Sequence, residues 1–168
     1  MKIAAALAAI VVALALQTTL AGLVFRGTAA LDLVLVVVIY ISLVSGPGTG
    51  VVAASVAGLI QDSLSSGILG IGGLAKTIVA FLAGVIGTQF IVTAPLPRFM
   101  VFVLGTALHA AIFMGLYVLL DLRQFPNPYG GIAGQAVGNG FVGVVGFQLI
   151  EWLPGFVARR RASRPLKR

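Results

Sequence analysis

The chain has 168 residues, of which 60% are hydrophobic and only 9% are charged, and it contains no cysteine. A soluble domain carries about 25% charged residues, so this composition excludes an ordinary soluble domain, a disulfide framework and thiol chemistry. The net charge of +7 would suggest a nucleic-acid partner in a soluble protein, but six of the eleven basic residues lie in the last ten positions. Basic residues at that position mostly indicate on which side of a membrane the tail lies.

The first apolar run, residues 3–24, has the length of a membrane span and follows Lys2. A basic start, an apolar middle and the sequence Thr-Leu-Ala-Gly at 19–22 would also fit a signal peptide with a cleavage site. The run is longer than a typical signal core, and further apolar segments follow it. These features favour a retained helix.

Five further apolar segments are separated by short stretches rich in turn residues. The second segment is rich in β-branched side chains, but we expect a helix because an isolated strand cannot satisfy its backbone in lipid. The predicted spans cover 3–24, 31–45, 50–64, 69–92, 98–120 and 132–153. The sequence thus predicts an all-α integral membrane protein, with six transmembrane helices over 1–153 and a basic cytoplasmic tail over 154–168. If 31–64 formed one broken span, the chain would have five spans.

Basic residues are distributed unevenly between the two sides of the predicted bundle. Lys2, Arg98 and the six of the tail place eight on the side of the termini, whereas Arg26 and Arg123 place two on the other side. Short loops rich in Lys and Arg stay in the cytoplasm. We therefore expect both termini to be cytoplasmic, and the tail is also suited to bind anionic membrane lipids.

Small residues recur at helical spacing in the third and fourth segments, on either side of a Ser-Ser-Gly break at 65–67. In lipid, helices associate where small side chains let their backbones approach closely. We expect these segments to form a helical hairpin around which the others pack. The candidate helix-packing or partner-binding residues are Gly50, Ala54, Gly58, Asp62, Gly70, Gly73, Lys76 and Gly84.

Two charges lie within this hairpin, and each has two interpretations. Asp62 is either a partner-binding carboxylate or a charge near a helix end that reaches headgroup water. Lys76 either extends to the interface as an anchor or pairs with Asp62.

Polar residues within the last two predicted spans are His109, Gln135 and Asn139. Gln135 and Asn139 lie one turn apart and are expected to form hydrogen bonds between helices. His109 lies at a similar depth and is a candidate partner of Asn139. A small-molecule site lined by these residues is the alternative, whereas no second histidine or cysteine could complete a zinc site.

No pattern of catalytic residues is recognisable in the chain. It lacks a recognisable nucleophile, paired carboxylates and a phosphate loop, since Gly70-Ile-Gly-Gly-Leu is too loose for such a loop. We predict no enzyme, no cofactor and no metal. Two classes remain: an assembly protein that binds other membrane proteins, and a solute-binding transporter subunit. The second needs an outward cavity lined by polar groups, for which the outer half offers Asp32, Asp62, Asn127 and Gln135.

Two stretches of the chain resemble a known family. The first is Asp32-Leu-x-Leu with the apolar run that follows it, Tyr40, and the glycines at 46–50. The second is GLIQDSLSSGILGIGGL at 58–74, with Gly58, Asp62 and Gly70 at the positions of the family's signature. Together with length, span number and basic tail, they resemble the rod shape-determining proteins of the MreD family.

This resemblance implies a non-enzymatic inner-membrane component of the bacterial cell-elongation (rod) complex. Such proteins bind the scaffold MreC and work with the RodA–PBP2 synthase and MreB filaments in peptidoglycan synthesis and rod shape. The resemblance also implies a fold similar to that of the S components of energy-coupling-factor transporters. The alternative function is therefore a substrate-binding S component of a vitamin transporter. Neither reading implies a nucleic-acid partner.

Overall fold

A computed structural model describes residues 3–21, 31–65, 68–90, 92, 94–122, 124–125 and 128–162. This part of the chain contains six α-helices: α1 Ile3–Ala21, α2 Leu33–Ser45, α3 Pro47–Leu64, α4 Ile71–Gln89, α5 Pro95–Leu119 and α6 Tyr129–Ala162. The predicted all-helical class is confirmed. The predicted loop containing Arg26, as well as Lys2, Arg123, Asn127 and residues 163–168, lies outside the described residues.

Three of these helices are long and apolar enough to cross a membrane by length and composition, namely Ile71–Gln89, Pro95–Leu119 and Tyr129–Trp152. Two shorter apolar helices accompany them, Ala4–Thr19 and Leu33–Ser45. The protein is therefore a membrane protein.

Helices α2 and α3 are separate elements joined at Gly46. This residue has φ 84°, in the left-handed region that suits glycine, and it is both the C-cap of α2 and the N-cap of α3. Its backbone N–H donates a hydrogen bond to the carbonyl oxygen of Ser42. The chain reverses here, so residues 31–64 do not form a single broken helix.

Prolines account for two of the differences between predicted and observed boundaries. Helix α3 begins at Pro47 and α5 at Pro95, each three residues earlier than expected, because proline suits the first helical turn, whose N–H groups have no intrahelical acceptor. Helix α6 instead continues through Pro154 to Ala162. The prediction that Pro154 closes the last helix is therefore wrong. An interior proline removes one backbone hydrogen bond and can kink a helix without ending it.

Helix α2 lies at the centre of the bundle and packs against each of the other five helices. Eight of its 13 residues are buried, as expected for a helix that is apolar on all sides. At 1.5 Å per residue it is only about 20 Å long, shorter than a bilayer core. The central element is thus α2, rather than the α3–α4 hairpin that the small residues suggested.

The apolar core has two parts, which lie on either side of α2. One part joins α1 to α2, α3 and α4, with Ile10, Ala13 and Leu14 of α1 buried in it. The other joins α2 to α4, α5 and α6 around the fully buried Phe102. Helix α1 is therefore an integral part of the bundle.

The helices alternate in direction and define two ends. At the end where α2, α4 and α6 begin, the loop after α3 meets the end of α5, because Ile68 N–H donates to Tyr117 Oη at 3.2 Å. We call this the distal end. The opposite end, where α1, α3 and α5 begin, is called the terminal end; Arg98 of α5 there contacts Glu151 of α6.

Candidate functional site

Asp62 lies at the distal end of α3 and caps the next helix. Its Oδ2 accepts hydrogen bonds from the backbone N–H groups of Gly70 and Gly73, at 2.9 and 3.0 Å. A carboxylate here satisfies donors in the first turn of α4 and interacts favourably with the helix dipole. Gly70 is the N-cap of α4 and has φ 99°. The Asp62 carboxylate thus connects α3 to α4.

Lys76 forms a buried ion pair with Asp32. Its Nζ lies 2.9 Å from Asp32 Oδ2 and 3.3 Å from His109 Nε2, and its side chain is 3% exposed. Both sequence interpretations of Lys76 are wrong, since it neither reaches the interface nor pairs with Asp62. Sequence reasoning missed this partner, since it counted Asp32 only among the polar groups of the outer half.

Asp32 holds several elements together at the start of α2. Its Oδ1 accepts from Leu35 N–H at 2.9 Å as the helix N-cap. Its backbone N–H donates to Asn139 Oδ1 at 3.1 Å, which joins α2 to α6. A signal for this role is present in the sequence, because an aspartate directly before an apolar helical run is a typical N-cap.

Asn139 is fully buried and links three elements. Besides its bond to Asp32, its Nδ2 donates to Thr106 Oγ1 at 3.2 Å. The expected hydrogen bond between His109 and Asn139 is not the one that forms. His109 contacts Lys76, and Asn139 donates to Thr106. Asn139 does serve as an interhelical hydrogen-bonding residue. We call Asp32, Lys76, Thr106, His109 and Asn139 the buried polar cluster.

Gln17 extends this polar region to α1. Its Nε2 donates to the Leu31 carbonyl at 2.7 Å and its Oε1 accepts from Leu33 N–H at 2.8 Å. One amide side chain thus fixes the end of α1 against the start of α2. Sequence reasoning had assigned this glutamine no role.

A cavity of about 290 Å³ opens beside the buried polar cluster at the distal end. One wall comes from α3 and its C-cap, with Gln61, Asp62 and Ser65, and another from α5, with Phe113 and Tyr117. Asp32, Lys76, His109, Gln135 and Gln17 also line it. The sequence had suggested few outward polar groups, but the fold gathers more of them here because five helices and the N-cap of α2 contribute.

Most of the small residues predicted to pack the hairpin lie at close helix contacts inside the bundle, but Gly70 makes no such contact and is the N-cap of α4 instead. A Cβ atom at Gly58 would collide with Gly73 Cα, and one at Gly84 would collide with Pro47. Gly50 faces Ser42 of α2, and Ala54 is fully buried. These residues therefore pack α3 against α2 and α4, and their surface is not free for a partner.

The terminal end carries a second ion pair. The guanidinium of Arg98 donates two hydrogen bonds to the Glu151 carboxylate, at 2.9 and 2.6 Å. It also lies 3.9 Å from the centre of the Phe147 ring and donates from Nε to the Val92 carbonyl. This bidentate geometry fixes α5 to α6, a role that the sequence had not indicated for Arg98.

A groove of about 400 Å³ runs between α1 and α3 towards the terminal end. It is lined mainly by small or apolar residues, including Ala6, Gly48, Val52 and Ala53. Within the described residues, the buried Ser45 Oγ at this groove has no hydrogen-bond partner.

Comparison with known proteins links the chain to one family. The family model described as rod shape-determining protein MreD matches residues 2–127. This range contains Asp32, Asp62, Lys76 and His109 and ends before α6. Comparison with curated proteins and with solved structures gave no match.

Proposed function

The chain belongs to the MreD family of rod shape-determining proteins, and on this premise we propose that it binds the scaffold MreC and thereby supports peptidoglycan synthesis during cell elongation. The observation that carries the proposal is the family match over residues 2–127. RodA–PBP2 and MreB filaments are the further partners, reached directly or through MreC. The protein resides in the inner membrane, where the six helices form one transmembrane bundle as in an S component, with the short α2 enclosed by the other five.

The proposed role is binding rather than catalysis. The charged groups within the bundle hold its helices together: Lys76 pairs with Asp32, and Arg98 pairs with Glu151. Asp62 caps a helix. This use of polar groups supports a non-enzymatic function.

We assign the MreC contact to the groove between α1 and α3. The small hairpin residues that were candidates for partner binding, Gly50, Ala54 and Gly58, are buried against neighbouring helices instead. The groove offers small side chains for close approach. A single transmembrane helix, such as that of a bitopic scaffold, is the occupant that fits an elongated apolar groove.

The test compares two bulky substitutions at equally exposed apolar positions. Val52 in the groove and Leu104 on α5 are both 65% exposed. We expect Val52→Trp to reduce the amount of MreC that co-purifies by at least tenfold, because the indole fills the groove, whereas Leu104→Trp leaves it unchanged. Equal recovery of MreC with both variants, at equal folded yield, would reject this surface.

The distal cavity is the observation that favours the alternative, a solute-binding transporter subunit. Its volume of about 290 Å³ lies at the lower edge of pockets for drug-sized ligands, which span about 300–1,000 Å³. A vitamin-sized solute would therefore fill or exceed it. Saturable, micromolar binding of a vitamin to the purified chain, without recovery of MreC from membranes, would establish the alternative.

A further inference from the structure

The walls of the distal cavity differ in chemical character. Helix α3 and its C-cap contribute hydrogen-bond acceptors from Gln61, Asp62 and Ser65, whereas α5 contributes the aromatic rings of Phe113 and Tyr117. Carboxylate and carbonyl oxygens opposite aromatic faces are the surroundings that bind organic cations.

The acceptor wall has unused capacity. Within the described residues, the two hydrogen bonds to the Asp62 carboxylate go to Oδ2, and the two ion pairs involve other residues. The buried Gln61 Oε1 has no hydrogen-bond partner there. A small rotation of the Gln61 amide towards the cavity would let a bound N–H group satisfy this oxygen.

The aromatic wall is a continuous row on one side of α5 and the loop after it. Ring centres are 5.9 Å apart for His109 and Phe113, 4.8 Å for Phe113 and Tyr117, and 6.0 Å for Tyr117 and Phe125. The Tyr117 hydroxyl oxygen accepts from Ile68 N–H, which holds its ring beside the loop after α3. Tyr117 is therefore held in place without a ligand, and Phe113 packs beside it.

The charge balance of the cavity favours a cation over an anion. Lys76 is engaged by Asp32 and His109, so its ammonium is not available to an anion. With His109 counted as neutral, as in the formal charge, two carboxylates and one ammonium leave an excess of one negative charge. Asp62 supplies this excess.

From these contacts we propose that the distal cavity binds one organic cation, a guanidinium or a primary ammonium group, between Asp62 and the rings of Phe113 and Tyr117. The volume of about 290 Å³ suits a group of this size. The cation is either a free small amine or the side chain of an arginine or lysine on a partner's segment outside the membrane. This inference does not depend on the proposed contact with MreC.

The first experiment titrates the full-length protein in lipid nanodiscs with methylguanidinium and with its neutral analogue N-methylurea. We expect saturable binding of methylguanidinium, detected by calorimetry and by an increase in melting temperature, and at least tenfold weaker binding of N-methylurea. Equal binding of both compounds, or no saturable binding of methylguanidinium up to about 10 mM, would overturn the proposal.

Variants then identify the groups responsible. Asp62→Asn keeps an oxygen that can cap α4 but removes the charge, so we expect at least tenfold weaker binding with little change in folded yield. Gln61→Leu should weaken binding without affecting the cap, and Tyr117→Leu should weaken it about two- to fivefold. Asp121→Asn, an exposed residue outside the cavity lining, is the matched control. Wild-type affinity in both Asp62→Asn and Gln61→Leu would reject this site.

A third arm distinguishes the two sources of the cation. An N-acetylated, amidated peptide Gly-Leu-Arg-Leu-Gly is compared with methylguanidinium and with the same peptide carrying glutamine in place of arginine. Binding of the arginine peptide at least tenfold tighter than methylguanidinium assigns the site to a partner segment, whereas similar affinities assign it to a free amine. Equal binding of the arginine and glutamine peptides would contradict recognition of the cation.

Discussion

The buried polar cluster shows how single residues stabilise the bundle. Lys76 of α4 lies 2.9 Å from Asp32 at the start of α2 and 3.3 Å from His109 of α5. Buried charges are tolerated where they are paired and hydrogen-bonded. Asp32 meets both conditions, because its second carboxylate oxygen caps α2 through Leu35 N–H. The pair therefore fixes how α2, α4 and α5 meet.

We predict that removing one member of this pair lowers the free energy of unfolding more than removing both charges does. Lys76→Met leaves the Asp32 carboxylate buried without its cation and should lower the free energy of unfolding by about 3–5 kcal/mol. Combining it with Asp32→Asn, which keeps a capping oxygen, should restore most of that loss. Chemical unfolding in mixed micelles measures both variants. A double variant no more stable than Lys76→Met would show that the charge imbalance is not the cause.

At the scale of elements, the α3–α4 contact depends on the absence of side chains. Gly58 and Gly73 lie so close that an added Cβ at Gly58 would overlap Gly73 Cα. Gly84 and Pro47 form a similar contact at the other end of the same helix pair. Asp62 then closes the distal end of the pair by capping α4. Backbone proximity and one carboxylate together set the geometry of this hairpin.

We predict that Gly58→Leu separates α3 from α4, because the bulky side chain cannot fit against backbone atoms. The folded yield in detergent, measured by size-exclusion chromatography, should fall severalfold. Val52→Leu, on the exposed face of the same helix, is the control and should behave as wild type. Similar folded yields for the two variants would argue against tight packing at Gly58.

At the scale of the whole molecule, ionic groups lie at two ends separated by an apolar middle. The distal end carries Asp32, Lys76 and Asp62, and the terminal end carries Arg98 paired with Glu151. Between them lie the two apolar parts of the core. The start of α1 and the end of α6 share the terminal end, which fits termini on one side of the membrane.

The excess of basic residues predicts that this side is the cytoplasm. Reporter fusions placed before Lys2 and after Arg168 should both report a cytoplasmic location. A fusion within 120–128, at the distal end, should report the periplasm and serves as the internal control. A periplasmic signal from either terminal fusion would contradict six crossings with cytoplasmic ends.

Much of the architecture followed from the sequence, because hydropathy and helix boundaries are local properties. Apolar runs, turn residues and glycine spacing predicted six helices, and the stretches around Asp32 and at 58–74 pointed to the family that the comparison then matched. The small residues of α3 were expected at helix contacts, where Gly58 lies against Gly73. Each inference needs only residues close together along the chain.

The tertiary structure alone decided which polar groups meet. The sequence left Lys76 either at the interface or paired with Asp62, and the rotation of α4 about its axis brought it to Asp32. The central position of α2 and the polar cavity likewise depend on how all six helices are arranged. Such arrangements arise from side-chain packing between residues far apart in the chain, which no local pattern encodes.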